Sequence, residues 1–229
     1  KWELAVLAVF FAGVLDGLDG RIARILKGTS RFGAELDSLS DFLSFGVAPA
    51  MILYLWAFAG SGRFGWALAL LYCICCALRL ARFNTALDAD EPAWSRAFFT
   101  GMPSPAGAGL VLLPMVVWFE TDADLLRHPL VVAAFMAAGA FMLVSRVRTF
   151  SFKRVRVPPA WVLPSMLAVG LSLALLLSNP WLALSLAMIA YLASIPFSVR
   201  HYHRLLAQEA AAHGGAPRAD AAPGVLPES

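Results

Sequence analysis

Apolar residues run along this chain in long blocks. They show neither the alternation of a half-buried strand nor the one-sided stripe of a soluble helix. Seven blocks stand out, roughly residues 2–25, 38–59, 65–84, 104–119, 129–146, 160–178 and 180–199. Most approach the ~20 residues that carry a helix across the hydrocarbon core of a bilayer. Hydrocarbon offers backbone amides no water, so a segment held there closes its hydrogen bonds within itself, as a helix. Polar breaks separate the blocks, and two of them, Gly60-Ser61-Gly62-Arg63-Phe64 and Ser178-Asn179-Pro180, read as tight turns. The pattern predicts an all-α, polytopic transmembrane helical bundle of about seven membrane helices, occupying residues 1–205. From about residue 206 the chain becomes rich in Ala, Gly and Pro without periodicity, which predicts a disordered cytoplasmic tail over 206–229.

Composition sharpens this reading. The 229 residues are 60% hydrophobic and 14% charged, whereas a soluble domain carries about 25% charged residues. A net charge of +3 gives no footing for a nucleic-acid partner. Cys73, Cys75 and Cys76 fall inside one apolar block and form no CxxC pair, so they read as small packing residues and imply no disulfide framework.

The positions of the charges matter more than their sum. If the block carrying Arg21 and Arg24 ends in the cytoplasm, alternation places every Lys and Arg except Lys1, Arg63 and Arg127 at cytoplasmic ends and loops. The acidic break with Glu120, Asp122 and Asp124 then faces the other side. Trp56, Trp66, Trp118, Trp161 and Trp181 lie near block ends, where indoles anchor helices at the membrane interface.

Ionisable residues inside membrane segments are costly and mark function. Asp16 and Asp19 are three apart and share one helix face, while Asp37 and Asp41 are four apart and share a face of the next helix. A short basic loop joins the two helices, so they should be antiparallel neighbours whose four carboxylates converge near the cytoplasmic surface. Converging anions stay ionised together only when cations neutralise them, and hard oxygen ligands suit Mg²⁺, Mn²⁺ or Ca²⁺. Two metals bridged by carboxylates suit phosphoryl transfer. Gly20, Ala23 and Gly33 leave room between the helices for a flat base or a phosphate, or else serve ordinary small-residue packing.

The stretch Asp16-Gly-Leu-Asp19-Gly20-Arg-Ile-Ala23-Arg24, eight residues, Gly33, three residues, Asp37, three residues, Asp41 resembles the complete signature of the CDP-alcohol phosphotransferase family. The resemblance implies that Asp16, Asp19 and Asp37 bind two divalent ions, Mg or Mn. It makes Asp41 both a contributor to the metal site and the general base. It places Gly20, Ala23 and Gly33 in the cytidine pocket, with Arg24 near the nucleotide phosphates or an aspartate. It also implies a homodimer in the inner membrane of a bacterium, with the active site facing the cytoplasm. Family members usually carry a further membrane helix before the first block, so one such helix is expected to lie outside this sequence.

Other stretches bear on the acceptor. Asp41-Phe-Leu-Ser-Phe-Gly46-Val-Ala-Pro49, Leu78-Arg79-Leu-Ala-Arg82-Phe-Asn84, Gly101-Met-Pro103-Ser-Pro105 and Ser145-Arg146-Val-Arg148-Thr-Phe-Ser151-Phe-Lys153 resemble the phosphatidylserine synthase subfamily. The resemblance implies transfer of the phosphatidyl group from CDP-diacylglycerol to L-serine with release of CMP. Arg79 and Arg82 could hold the serine carboxylate or the lipid phosphate by paired hydrogen bonds, with Asn84 beside them. Arg146, Arg148 and Lys153 are weaker candidates, since a basic run also contacts anionic lipid headgroups. Two other readings remain open: a sibling transferase using glycerol phosphate, inositol phosphate or choline, and a divalent-cation transporter with the aspartates as its ion path.

Overall fold

The computed structural model describes residues 1–25, 31–60, 62–86, 98–145, 148–150 and 161–212. Each apolar block is helical there. The elements are α1 (Trp2–Ile25), α2 (Arg31–Asp41), α3 (Ala48–Ala57), α4 (Gly62–Ala86), α5 (Ser104–Thr121), α6 (Pro129–Val144), α7 (Val162–Ser178) and α8 (Pro180–Ala212). Residues Phe42–Val47 form a π-helical turn that joins α2 to α3 without a break, so the described residues make seven long helical rods. The all-α reading and its seven segments hold.

Four of these rods are long and apolar enough to cross a membrane, over Phe32–Ala57, Gly62–Thr85, Ser104–Thr121 and Pro180–Ser198, and the apolar helices α6 and α7 are shorter. Helix α7 leaves Leu163, Met166, Leu167, Val169, Leu171 and Leu177 exposed, Leu177 by 78%. A soluble monomer rarely shows so continuous an apolar strip, whereas lipid solvates one without cost.

The core lies where α1, the π turn, α3, α4, α5 and α6 meet. Val6, Phe45, Leu53, Trp56, Tyr72, Cys76, Leu112, Met115, Met136 and Leu143 are all buried there. Helix α4 packs against α6 and the π turn, and α5 against α6 and α8. At Gly46 an added Cβ would stand 3.1 Å from Cys76 Sγ and 3.2 Å from Cys76 Cβ, so a larger residue would push α4 a few tenths of an ångström off the turn.

The two ends of the bundle differ. At one end Trp118 stacks edge-on against Trp56 at 5.6 Å, Phe119 meets Trp181 at 4.6 Å, and Arg127 Nε donates to the Trp56 carbonyl. Asn179 donates to Glu120 at the same end. The candidate aspartates gather at the other. The breaks that the sequence reading places outside, at 60–64, 120–128 and 178–180, thus gather at one end, as far as they are described.

Two features depart from the expectation. Three-residue strands β1 (Phe98–Thr100) and β2 (Arg148–Phe150) pair antiparallel, Phe99 opposite Thr149. They lie on the segments that follow α4 and α6, and are too short to carry a readable alternation. Helix α8 also continues to Ala212, well past residue 199 and into the segment expected to be disordered. Its last turns (Leu205, Leu206, Ala207, Gln208, Glu209, Ala210) consist of strong helix formers, and the first glycine comes only at Gly214. Residues 213–229 lie outside the described residues.

Candidate active site

The site is built where the C-terminal half of α1 meets the end of α2. The carboxyl groups of Asp16 on α1 and Asp41 at the end of α2 come within hydrogen-bonding reach of each other, and both are half-buried. Asp37 stands within electrostatic range of both, and Asp19 within range of Asp16. Asp19 and Asp37 sit on exposed positions. One member of each pair, Asp16 and Asp41, thus turns toward the other helix, while Asp19 and Asp37 stand on exposed positions beside them. Among the described residues no three acidic, His or Cys side chains close into one coordination shell. The donor chemistry nevertheless fits a hard divalent cation, because two carboxylates in direct contact, with two more beside them, need positive charge between them.

Helix α4 supplies a cation. Arg79 interacts electrostatically with Asp41 and Asp16. Its Nη1 donates to Ser104 Oγ at 2.6 Å, and its guanidinium lies 5.5 Å from the Phe83 ring centre. Ser104 is fully buried at the start of α5. Three helices, α1, α2 and α4, thus meet at the carboxylates, and α5 orients the arginine. Sequence reading singled out Arg79 but missed Ser104, whose only signal was its place in Gly101-Met-Pro103-Ser104-Pro105.

Arg82 and Asn84 are tied to structure. Arg82 Nη1 donates to the Val144 carbonyl at 2.8 Å. Val144 ends α6, where carbonyls lack helical partners, so Arg82 caps α6 from across the bundle. Asn84 Nδ2 donates to Ser38 Oγ at 2.9 Å, joining α4 to α2 between Asp37 and Asp41. Beside the Arg82 contact, the Met102 amide donates to the Met142 carbonyl at 3.2 Å. Gly101 approaches there with φ +79°, and a Cβ on it would meet the Ser145 carbonyl oxygen at 2.9 Å and that of Leu143 at 3.1 Å.

The remaining candidates are less fully placed. Gly20, Ala23 and Arg24 lie on the last turns of α1, with only their backbone described, and Gly33 lies on the exposed first turn of α2. Arg148 is in β2, again as backbone only, while Arg146 and Lys153 lie outside the described residues. A cavity of about 350 Å³, lined by Lys1, Trp2, Glu3, Leu4, Trp118 and Phe119, opens at the opposite end of the bundle and has no part in this chemistry.

Comparison with known proteins bears on the chain as a whole. Residues 1–145 match the family model described as CDP-alcohol phosphatidyltransferase, and residues 160–196 match that described as CDP-alcohol phosphatidyltransferase 2. The chain is similar to the CDP-diacylglycerol–serine O-phosphatidyltransferase of Mycobacterium tuberculosis, 39% identical over 217 residues that cover 91% of this chain and 72% of that protein. The enzyme of the same name from Mycobacterium leprae is 37% identical over 206 residues, 90% of this chain and 68% of that protein. That from Helicobacter pylori is 38% identical over 197 residues, 84% and 78% of the two chains.

Proposed function

The chain belongs to the CDP-alcohol phosphatidyltransferase family, and on that premise we propose that it transfers the phosphatidyl group of CDP-diacylglycerol to the hydroxyl of L-serine and releases CMP. The observation that carries this reading is the meeting of Asp16 and Asp41 across two helices, with Arg79 facing both. Relatives named for the serine reaction, matching most of the chain, select the acceptor. The chain is an integral membrane protein, working as a homodimer, an assembly that a mass measurement in detergent checks.

Each residue has a part to play. Asp16, Asp19 and Asp37, with Asp41 contributing, would hold the divalent ions, Mg or Mn, on which the family generally depends. Those ions would supply positive charge to the pyrophosphate and to the departing CMP. Asp41 accepts the serine hydroxyl proton, and the hydroxyl oxygen then attacks the phosphorus that carries diacylglycerol. The new P–O bond to serine forms as the bond to CMP breaks. Arg79, held by Ser104, keeps a positive charge beside the carboxylates and stands ready for the serine carboxylate or the lipid phosphate. Gly20, Ala23, Arg24 and Gly33 would receive the cytidine and its phosphates. Arg82 and Asn84 hold α6 and α2 in place around the site, and Arg146, Arg148 and Lys153 are weaker candidates for anionic groups. Positioning and electrostatics supply most of the rate.

The reading is tested by CMP release from CDP-diacylglycerol with serine, glycerol phosphate, inositol phosphate and choline offered in turn. Serine alone should support turnover; release driven better by another alcohol moves the chain to a sibling activity. Excess chelator should abolish that turnover, and added Mg²⁺ or Mn²⁺ should restore it. Turnover that persists in chelator removes the metal from the mechanism.

The charge distribution supports an aspartate end that faces the cytoplasm of a bacterial cell, in its inner membrane. Single cysteines at positions 151 and 121, in a chain lacking its native cysteines, should label from opposite sides of the membrane. Thr121 should be the outer one. Labelling of the 151 position from outside intact cells reverses the assignment.

A further inference from the structure

Tyr72 is fully buried on α4, and its hydroxyl donates to the Phe45 carbonyl at 3.0 Å. That carbonyl lacks its ordinary helical partner for a reason written in the sequence. In an α-helix it would pair with the amide of residue 49, and residue 49 is Pro, which has none. The chain responds by closing its bonds one residue later, and the Ala48 amide donates to the Leu43 carbonyl. The result is the π turn over Phe42–Val47, which begins directly after Asp41. Such turns concentrate at functional sites.

A π turn takes in one residue more than an α turn. Each residue rotates an α-helix by about 100°, so the helix before the turn is displaced by about that angle relative to an uninterrupted one. Beyond the turn, α3 is anchored by buried Ala50, Leu53 and Trp56. Before it, α2 is exposed along most of its length. A change in the turn therefore swings α2 and leaves α3 in place. Helix α4 holds the turn at two further points. Cys76 packs on Gly46, and Cys73 Sγ donates to the Gly46 carbonyl at 3.8 Å.

We propose that Tyr72, together with Pro49, is a positioning residue that maintains the π turn and so sets the angle at which Asp37 and Asp41 face Asp16. The inference rests on the reading of those aspartates as the reacting site. It assigns no chemistry to Tyr72 itself.

The double variant Tyr72→Phe/Pro49→Ala supplies the missing amide and removes the competing hydroxyl, leaving the turn free to close as an α-helix. Two measurements on the full-length chain test the inference. The first is the yield of an oxidative cross-link between cysteines replacing Ser38 and Asn84, which contact each other here, in a chain whose native cysteines are replaced by alanine. This yield reports the rotation of α2 without any catalysis. The second is kcat for CMP release by the variants with Ser38 and Asn84 intact, alongside the melting temperature in detergent.

The double variant should lose the cross-link and about 100-fold in kcat, with a melting temperature no lower than the parent's. Restoring Pro49, which leaves Tyr72→Phe alone, should bring most of both back, at a cost of about fivefold in kcat for one hydrogen bond. A cross-link that survives in the double variant overturns the inference. Loss of the cross-link with undiminished turnover also overturns it, and in that case the assignment of Asp37 and Asp41 falls with it. If the double variant does not fold, Tyr72→Phe alone decides. Full cross-linking with full kcat overturns the inference, and a fivefold loss in kcat with a reduced cross-link yield supports it.

Discussion

Asp41→Asn lowers kcat for serine-dependent CMP release by about 10²–10⁴-fold, the range a general base contributes, while CDP-diacylglycerol affinity stays close to that of the parent. Asparagine matches aspartate in shape and keeps one oxygen donor, but it loses the charge and the basicity. Asp41 is half-buried against Asp16, where an isostere preserves packing. Asp19→Asn behaves differently. Asp19 is exposed and stands beside Asp16, so its loss removes charge from the proposed ligand set, and metal and nucleotide binding should both weaken. Affinity and kcat measured for the two variants at saturating metal separate these roles. If Asp41→Asn keeps more than about a tenth of the parent kcat, proton transfer lies elsewhere. If it loses metal as badly as Asp19→Asn, Asp41 is a ligand first.

Gly101→Val is the largest expected loss of stability. A β-branched residue at φ +79° is strained whatever surrounds it. Here the new Cβ also points at the carbonyls of Ser145 and Leu143. Those oxygens belong to the end of α6, which Arg82 and the Met102 amide already hold, so they cannot withdraw without opening both bonds. Backbone strain and clash together cost about 3–5 kcal/mol. By the scaling of soluble domains this is a fall of about 10 °C in melting temperature. Gly170→Val on α7, where a Cβ meets nothing within 4 Å, is the matched control and should melt near the parent temperature. Melting curves of the two variants in detergent decide; equal temperatures would show that Gly101 occupies no crowded joint.

The helices were legible because lipid leaves an apolar segment a single backbone solution, and the aspartates because charge stands out against such segments. Their pairing followed from helical spacing and a short connecting loop. The features that depend on distant partners were not legible. Pro49 was visible, but its effect on the Phe45 carbonyl becomes specific only when Tyr72 arrives from α4. Arg82 looked like a ligand for serine or phosphate, and nothing local indicated that the end of α6 would take it. Ser104 carries no signal of its own, and only the fold places it against Arg79. The continuation of α8 to Ala212 was masked by a count of alanines that reads equally well as helix or as low complexity.

Helix α1 carries the first two aspartates of the site, and it is not among the helices apolar enough to cross a membrane. An Asp at the middle of an emerging helix costs about 2.5–3.5 kcal/mol, and Asp16 and Asp19, though nearer the end of α1, weaken its partitioning into the bilayer when it is made. It is also made before two of the helices that hold it in the fold. Helices α3 and α5, against which it packs, emerge only later. The carboxylates thus bear on biogenesis: the contacts that bury the apolar face of α1 against α3 and α5 form only after those later helices are made.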